Sequence, residues 1–225
     1  MRANRQIIAT MFCLVSFFFL FEFTNIDIFV QKYFYDATTQ KWLLTHQKGS
    51  LLDTLFYMGI KKVIIVFGVL ILFLYLYSFK NLAKILKEYQ KGLLIVLLSL
   101  IIIPLFIGLL KVVSNVPCPY DFTYFGGEYP YIRVMDSMAQ EILKKFKCYP
   151  AGHASGGFAL MSLFFLFKEQ KNRLIALGSA IIIGSSMGTY KMLIGHHYLS
   201  HTIITMILAW FLILVIYKIV NNIAF

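Results

Sequence analysis

Six long apolar runs constrain this chain more than any other feature: residues 7–21, 63–79, 93–110, 154–167, 174–194 and 203–220. A helix that crosses a bilayer needs about 20 residues, with roughly 17–25 usual. Lipid offers no partner for open backbone N–H and C=O groups, so each run must close its hydrogen bonds within a helix. The pattern predicts an all-α fold, a polytopic six-helix transmembrane bundle forming one integral membrane domain over residues 1–225. The first and fourth runs are short on the length rule and would have to borrow neighbours. Pro104 falls inside the third run and predicts a kink there. The first run follows Arg2 and Arg5, as a signal peptide's would. The chain then continues Phe-Glu-Phe-Thr-Asn with no small-x-small cleavage site, so it reads as a retained helix.

Composition agrees with a bilayer environment. The chain is 60% apolar and 14% charged, against about 45–50% and 25% for soluble domains. That excludes a water-soluble globule, and with it a disordered chain or a coiled-coil rod. The 21 basic and 10 acidic residues leave a net charge of +11, which in a soluble protein would point to nucleic acid. Here the positive-inside rule accounts for it, and no nucleic-acid partner is implied. The connector 80–91 carries Lys80, Lys84, Lys87 and Lys91 against Glu88, and 168–173 is a second basic turn. Both are placed in the cytoplasm together with the N-terminus. Ten basic residues then stand against two acidic ones inside, and eleven against eight outside. The loops 27–62, 111–150 and 191–200 fall on the outer face. The loop between the third and fourth helices is the expected site of a small extramembrane subdomain. Cys13, Cys118 and Cys148 are too few for a disulfide scaffold, and no CxxC pair points to zinc.

This topology brings His153, His196, His197 and His201 to one membrane face, where ionisable groups are costly unless used or paired. Three stretches there carry chemistry. Lys111-Val-Val-Ser-Asn-Val-Pro-Cys-Pro-Tyr-Asp leaves the third helix with a lysine and a proline-stiffened turn; alone it reads more readily as a snorkelling lysine and a tight loop than as a functional element. Pro150-Ala-Gly-His-Ala-Ser-Gly-Gly opens the fourth helix. Its exposed N–H groups and helix dipole favour a phosphate, and its histidine can protonate a leaving oxygen; small residues for close helix packing are the structural alternative. Lys191-Met-Leu-Ile-Gly-His-His-Tyr-Leu-Ser-His places His197 and His201 four apart, on one helical face. Headgroup-wetted histidines and an HxxxH metal pair are the other readings, the latter without a cysteine pair or an acidic residue on the same turn. Two lysines, a helix N-terminus and at least two usable histidines point to phosphate handling at a membrane surface.

In this order and topology the three stretches resemble the type 2 phosphatidic acid phosphatase superfamily. That pattern is Lys-x6-Arg-Pro, Pro-Ser-Gly-His and Ser-Arg-x5-His-x3-Asp. Here it reads Lys111-x6-Cys118-Pro119, Pro150-Ala151-Gly152-His153 and Tyr190-Lys191-x5-His197-x3-His201. The motifs cover about 25 positions. Cys118, Ala151, Lys191 and His201 are departures, and the surrounding segments look like a bacterial subgroup in which such replacements are usual.

The resemblance implies an integral membrane phosphatase acting on a lipid phosphate or diphosphate, of which phosphatidate-type lipids, polyprenyl diphosphate and lipid A are candidates. It implies a bacterial inner membrane, a site facing the periplasm or exterior, and no metal or other cofactor. His197 would attack phosphorus and become transiently phosphorylated, while His153 protonates the leaving alkoxide. Lys111, Lys191 and backbone N–H groups at 152–157 would hold the phosphoryl oxygens, with Pro119, Ala151 and Gly152 at the binding positions. Lysine in place of arginine gives up bidentate geometry. The group that orients His197 stays open between His201, as a neutral imidazole, and Asp121. A disulfide between Cys118 and Cys148 would pin two of the stretches together, two free thiols being the alternative. Lipid-to-lipid phosphotransfer uses the same intermediate. The competing readings are a non-catalytic lipid-phosphate-binding or transport relative and a histidine-based metal-binding membrane protein. Oligomeric state and headgroup are not legible.

Overall fold

A computed structural model of the chain describes residues 2–45, 49–80, 84–136 and 144–223. Its helices, in chain order, are α1 (Arg2–Phe23), α2 (Ile26–Gln31), α3 (Leu51–Asp53), α4 (Ile60–Tyr77), α5 (Lys84–Lys87), α6 (Gln90–Ser114), α7 (Gly152–Ala159), α8 (Gln170–Leu193) and α9 (Leu199–Asn221). A two-stranded antiparallel ribbon, β1 (Tyr35–Asp36) with β2 (Lys41–Trp42), lies between α2 and α3. Part of the basic connector (81–83) and part of the long outer loop (137–143) lie outside the described residues.

Among the described residues five helical stretches are long and apolar enough to cross a membrane: α1, the run Leu51–Tyr77, α6, α8 and α9. The fourth apolar run, already short by the length rule, departs from the expectation of six spanning helices. It forms α7 and then a 3-10 segment, Leu160–Phe165. At 1.5 Å per α residue and 2.0 Å per 3-10 residue these reach about 24 Å, short of a ~30 Å hydrocarbon core. Pro104 sits inside α6, which continues through it to Ser114 and ends on Asn115 in the left-handed conformation (φ 49°).

The outward faces are apolar. Val63, Ile65, Val66, Val69, Phe73 and Leu76 of α4 are all exposed, which water would penalise and lipid does not. Inside, α7 is wrapped by α6, α8 and α9, and α1 lies along α9. The core joins Ile103 and Ile107 of α6, Phe158 of α7, Met187 of α8 and Ile213 of α9. Helix association in lipid depends on close backbone approach more than on expelling water. Two glycines supply it: a Cβ on Gly157 would lie 2.7 Å from Gly184 Cα, and one on Gly184 would lie 2.3 Å from the Phe158 ring. Small residues opposite each other thus draw the helix bearing the second motif onto the helix bearing the third.

The end of the bundle that carries the three motif stretches is closed by a largely aromatic cluster of Ile28, Phe122, Phe125 and Tyr198, with Tyr35, Trp42 and Tyr131 against it. Residues from the segment between α1 and α3, from the loop before α7 and from the turn before α9 all contribute to it. Fully burying a large apolar side chain stabilises by roughly 1.5–3 kcal/mol, and here it also fixes the loops over the helix ends.

Candidate active site

Four chain segments converge beneath that cluster. The first is the C-terminal end of α6. Lys111 lies in its last turn, and a Cβ on Gly152 would meet Lys111 Cδ at 3.1 Å and Nζ at 3.4 Å. The lysine amine therefore lies against the first turn of α7, where free N–H groups and the helix dipole attract an anion. The second segment is α7 itself, with Gly152 and His153 in its first turn. Its N-terminus is fixed from α9: Ala151 N–H donates to the His201 carbonyl (3.2 Å) and to Thr205 Oγ1 (2.9 Å).

The third is the end of α8 and the turn after it. Lys191 is buried, and its carbonyl accepts from both His196 N–H (2.8 Å) and His197 N–H (3.3 Å). The turn passes through Gly195 at φ +74°. A Cβ there would lie 2.3 Å from the Trp42 indole, so the residue is glycine on conformational and on packing grounds. Gln31 Nε2 donates to the Met192 carbonyl at 2.9 Å, which braces the same helix end from α2.

The fourth is the start of α9. His197 Nδ1 lies 3.2 Å from His201 Nδ1, and both side chains are buried. Burial, followed by the charges of His201 and Lys111, holds His197 well below the ordinary histidine pKa. Its Nδ1 is taken up by the contact with His201. The His153 ring centroid is 6.3 Å from that of His197. Burial first, then Lys191 and Lys111, pull His153 down to about 3.

Cys118 and Cys148 form a disulfide, with their Cα atoms 5.1 Å apart. The bond joins the loop after α6 to the segment before α7. Cys148 N–H to the Val116 carbonyl (3.1 Å) and Phe146 N–H to Asn115 Oδ1 (2.8 Å) tie the same two strands of chain. Asp121 does not stand as the partner of His197. Its carboxylate accepts from Cys118 N–H (3.0 Å) and from Lys144 Nζ (3.1 Å), closing the short turn Pro119–Asp121. Pro119 is buried at the head of that turn, and Tyr120 N–H reaches the Gly195 carbonyl at 3.0 Å. The Cys118-Pro-Tyr-Asp stretch thus shapes the wall that carries the histidine turn.

Cys148 Sγ, His197 and His201 have donor atoms within 4.8 Å of one another. With the sulfur bonded to Cys118 it is not a thiolate, and two imidazoles remain, fewer than a structural or catalytic zinc site uses.

A family model described as the PAP2 superfamily matches residues 92–225, more than half of the chain and all three motif stretches. The chain belongs to the PAP2 superfamily. No curated protein and no solved structure matches it significantly. Membership together with the apolar helices makes it a multi-pass membrane protein of generally phosphatase type.

The PAP2 match begins at Gly92, so α1 to α5 lie outside it. Those helices hold site residues that motif reading missed. Lys61, at the start of α4, lines a cleft of ≈ 380 Å³ with His153, Gly152 and Ser155; Ile64, Leu100 and Pro104 form its apolar wall. The one available signal for Lys61 was a lysine pair directly before an apolar run. Asp27 of α2 accepts from Ser200 N–H at 2.9 Å, two residues past Tyr198, the N-cap of α9. Nothing in the local sequence marks Asp27, because its partner is 173 positions away.

Proposed function

We propose that this PAP2 protein is a metal-independent membrane phosphatase that hydrolyses a lipid phosphate or diphosphate through a phosphohistidine on His197. The observation that carries the reading is the 3.2 Å contact between the His197 and His201 Nδ1 atoms. It leaves the buried Nε2 of His197 as the free nucleophilic atom, close to His153, Lys111 and the first turn of α7.

In the first step His197 Nε2 forms a bond to phosphorus as the bond to the leaving oxygen breaks. His153 gives its proton to that oxygen. Burial, and after it Lys191 and Lys111, oppose a charge on His153. A bound phosphate dianion offsets those lysines and lets His153 enter the reaction protonated. Lys111, Lys191 and the α7 N–H groups then meet the charge on the three remaining oxygens. In the second step His153 takes a proton from water, the water oxygen attacks phosphorus, and the N–P bond breaks to release inorganic phosphate.

The cleft supports a lipid substrate. It is polar at Lys61 and His153 and apolar along Ile64, Ile65, Leu100 and Pro104. A headgroup phosphate can sit at the histidines while acyl or prenyl chains lie between α4 and α6. The proposed setting is the outer face of a bacterial inner membrane. Phosphate release from a panel of phosphatidate-type, polyprenyl diphosphate and lipid A substrates tests this, with and without chelator. Release that survives chelator and disappears in His197→Ala is expected. Loss of activity on chelation, or full activity in His197→Ala, would contradict it.

A further inference from the structure

A small cavity of ≈ 30 Å³ lies beside His201 and is lined by Glu22, Asp27, Arg133, Tyr149 and Tyr198 among others, but by neither His197 nor His153. Its volume is enough for about one or two waters. Glu22 and Asp27 are both buried, at 6% and 5% exposure. Glu22 accepts from Met135 N–H at 2.9 Å, and Asp27 accepts from Ser200 N–H at 2.9 Å. Tyr149 and Tyr198 stand edge-on to the His201 ring at 5.1 and 5.5 Å between centroids. Arg133 reaches Asn25 Oδ1 at 2.9 Å. Two acids against one guanidinium leave an excess of negative charge in a buried place, where charge is costly unless it is used.

The proposed reaction has a use for it. As His197 bonds to phosphorus its ring becomes positive, and its Nδ1 proton faces His201 Nδ1. A neutral imidazole can accept that proton, and the charge then rests on His201. Without a carboxylate nearby, an imidazolium at a fully buried position would be strongly disfavoured.

We propose that Asp27 and Glu22, acting across the cavity they share with His201, position that ring and compensate the charge it receives from His197 during turnover. This rests on the phosphohistidine reading. The relay runs from carboxylate to His201 to His197, so neither acid touches the substrate and both are positioning residues. No bond is made or broken at either acid. The proton moves only from His197 Nδ1 to His201 Nδ1, and returns when the N–P bond is hydrolysed. Burial, opposed by the hydrogen bonds from Ser200 and assisted by the nearby Glu22 charge, pushes Asp27 up to about 6. Below that pH the relay loses one of its two charges. Arg133 and the phenols of Tyr131, Tyr149 and Tyr198 are the other charged or titratable groups facing this cavity, and burial pushes the three phenols above the ordinary tyrosine range.

The test uses the full chain in detergent–phospholipid micelles and a short-chain phosphatidate, with initial rates measured from about pH 4 to 9. Asp27→Asn and Glu22→Gln keep shape and hydrogen-bonding capacity while removing charge. The double variant should lose about 10- to 100-fold in kcat, the scale on which removing a histidine's outer partner acts. KM should stay within about twofold, and the fall in kcat on the acid side of pH 6 should disappear. Asp27→Glu, which restores the charge, should recover most of the loss. A double variant with wild-type kcat and an unchanged acid limb overturns the relay, as does an effect confined to KM. His197→Ala is run alongside. If it is inactive while the double variant is wild-type-like, only the relay fails; if it is active, the phosphohistidine reading fails. Should the double variant not fold, Glu22→Gln alone decides on kcat, since it leaves the Asp27 contact to α9 in place: a fall in kcat with KM unchanged supports the relay, and a wild-type kcat overturns it.

Discussion

His197, in the turn before α9, and His201, in the first turn of α9, face each other through Nδ1 atoms 3.2 Å apart. The pair solves a problem of tautomers. A nucleophilic imidazole needs a proton on one nitrogen and a lone pair on the other, and a partner on Nδ1 selects that form. Here the partner is another imidazole, so the orienting group is itself neutral at rest. Removing it should cost turnover rather than binding. In His201→Ala, kcat is expected to fall by about 10²- to 10⁴-fold, the range seen when an orienting group is taken from a catalytic histidine. Steady-state phosphate release measures this, and a change confined to KM would contradict it.

The disulfide gives a second test. Closing a loop of 30 residues is worth roughly 3–4 kcal/mol in the loop-entropy picture. Cys118→Ser with Cys148→Ser should lower stability by that order in detergent unfolding and should slow turnover, because both phosphate-facing segments hang from this bond. Mass spectrometry of unreduced peptides should show Cys118 linked to Cys148. Finding both thiols free in the native protein would remove the bond from the account.

Helix packing offers a third. Gly184→Ala places a methyl about where the Phe158 ring now lies, since an ideal Cβ sits 2.3 Å from Phe158 Cδ1. Overpacking of this kind costs roughly 1–3 kcal/mol, and the displaced helix is α7, which carries His153. Thermal unfolding should shift downward and activity should fall with it. Unchanged stability would mean that α7 and α8 are not held this closely.

The burial of Asp27 predicts a pH dependence of stability with a definite sign. Its pKa is about 6 folded, against 3.8 for the free side chain, so between those values the folded protein holds a proton that the unfolded chain releases. The contribution of this group is therefore most favourable below about pH 4 and is lost as pH rises through 6. At 1.36 kcal/mol per unit the change is about 3 kcal/mol. Relative to Asp27→Asn, the wild-type protein should lose stability by that order between about pH 4 and 7, read from detergent unfolding at each pH. A difference of the opposite sign would contradict the assignment.

Much of this molecule is legible from sequence because lipid imposes simple rules. Apolar length located five spanning helices, and the order of Lys111, His153, Lys191, His197 and His201 located residues that the fold does gather. The fourth run was harder. Its Gly157 serves close packing against Gly184 of α8 while Gly156 faces Ile64 of α4, and the run tightens into a 3-10 turn that hydropathy does not encode. Asp121 shows a different limit. A carboxylate near a motif looks available, yet this one is spent on Cys118 N–H and Lys144. Asp27, Glu22 and Lys61 were invisible for the converse reason: they reach the site from α1, α2 and α4, across contacts with no fixed spacing. Local patterns find residues that act with their neighbours in sequence, and they miss those that act with neighbours only in space.

The most direct measurement is the covalent intermediate. Brief exposure of the purified protein to a lipid phosphate radiolabelled on phosphorus, followed by an alkaline quench and peptide mapping, should place an acid-labile phosphoryl group on His197, with no label in His197→Ala. Turnover of the lipid phosphate with no label trapped on His197, or with His197→Ala as active as the wild-type protein, would contradict the mechanism.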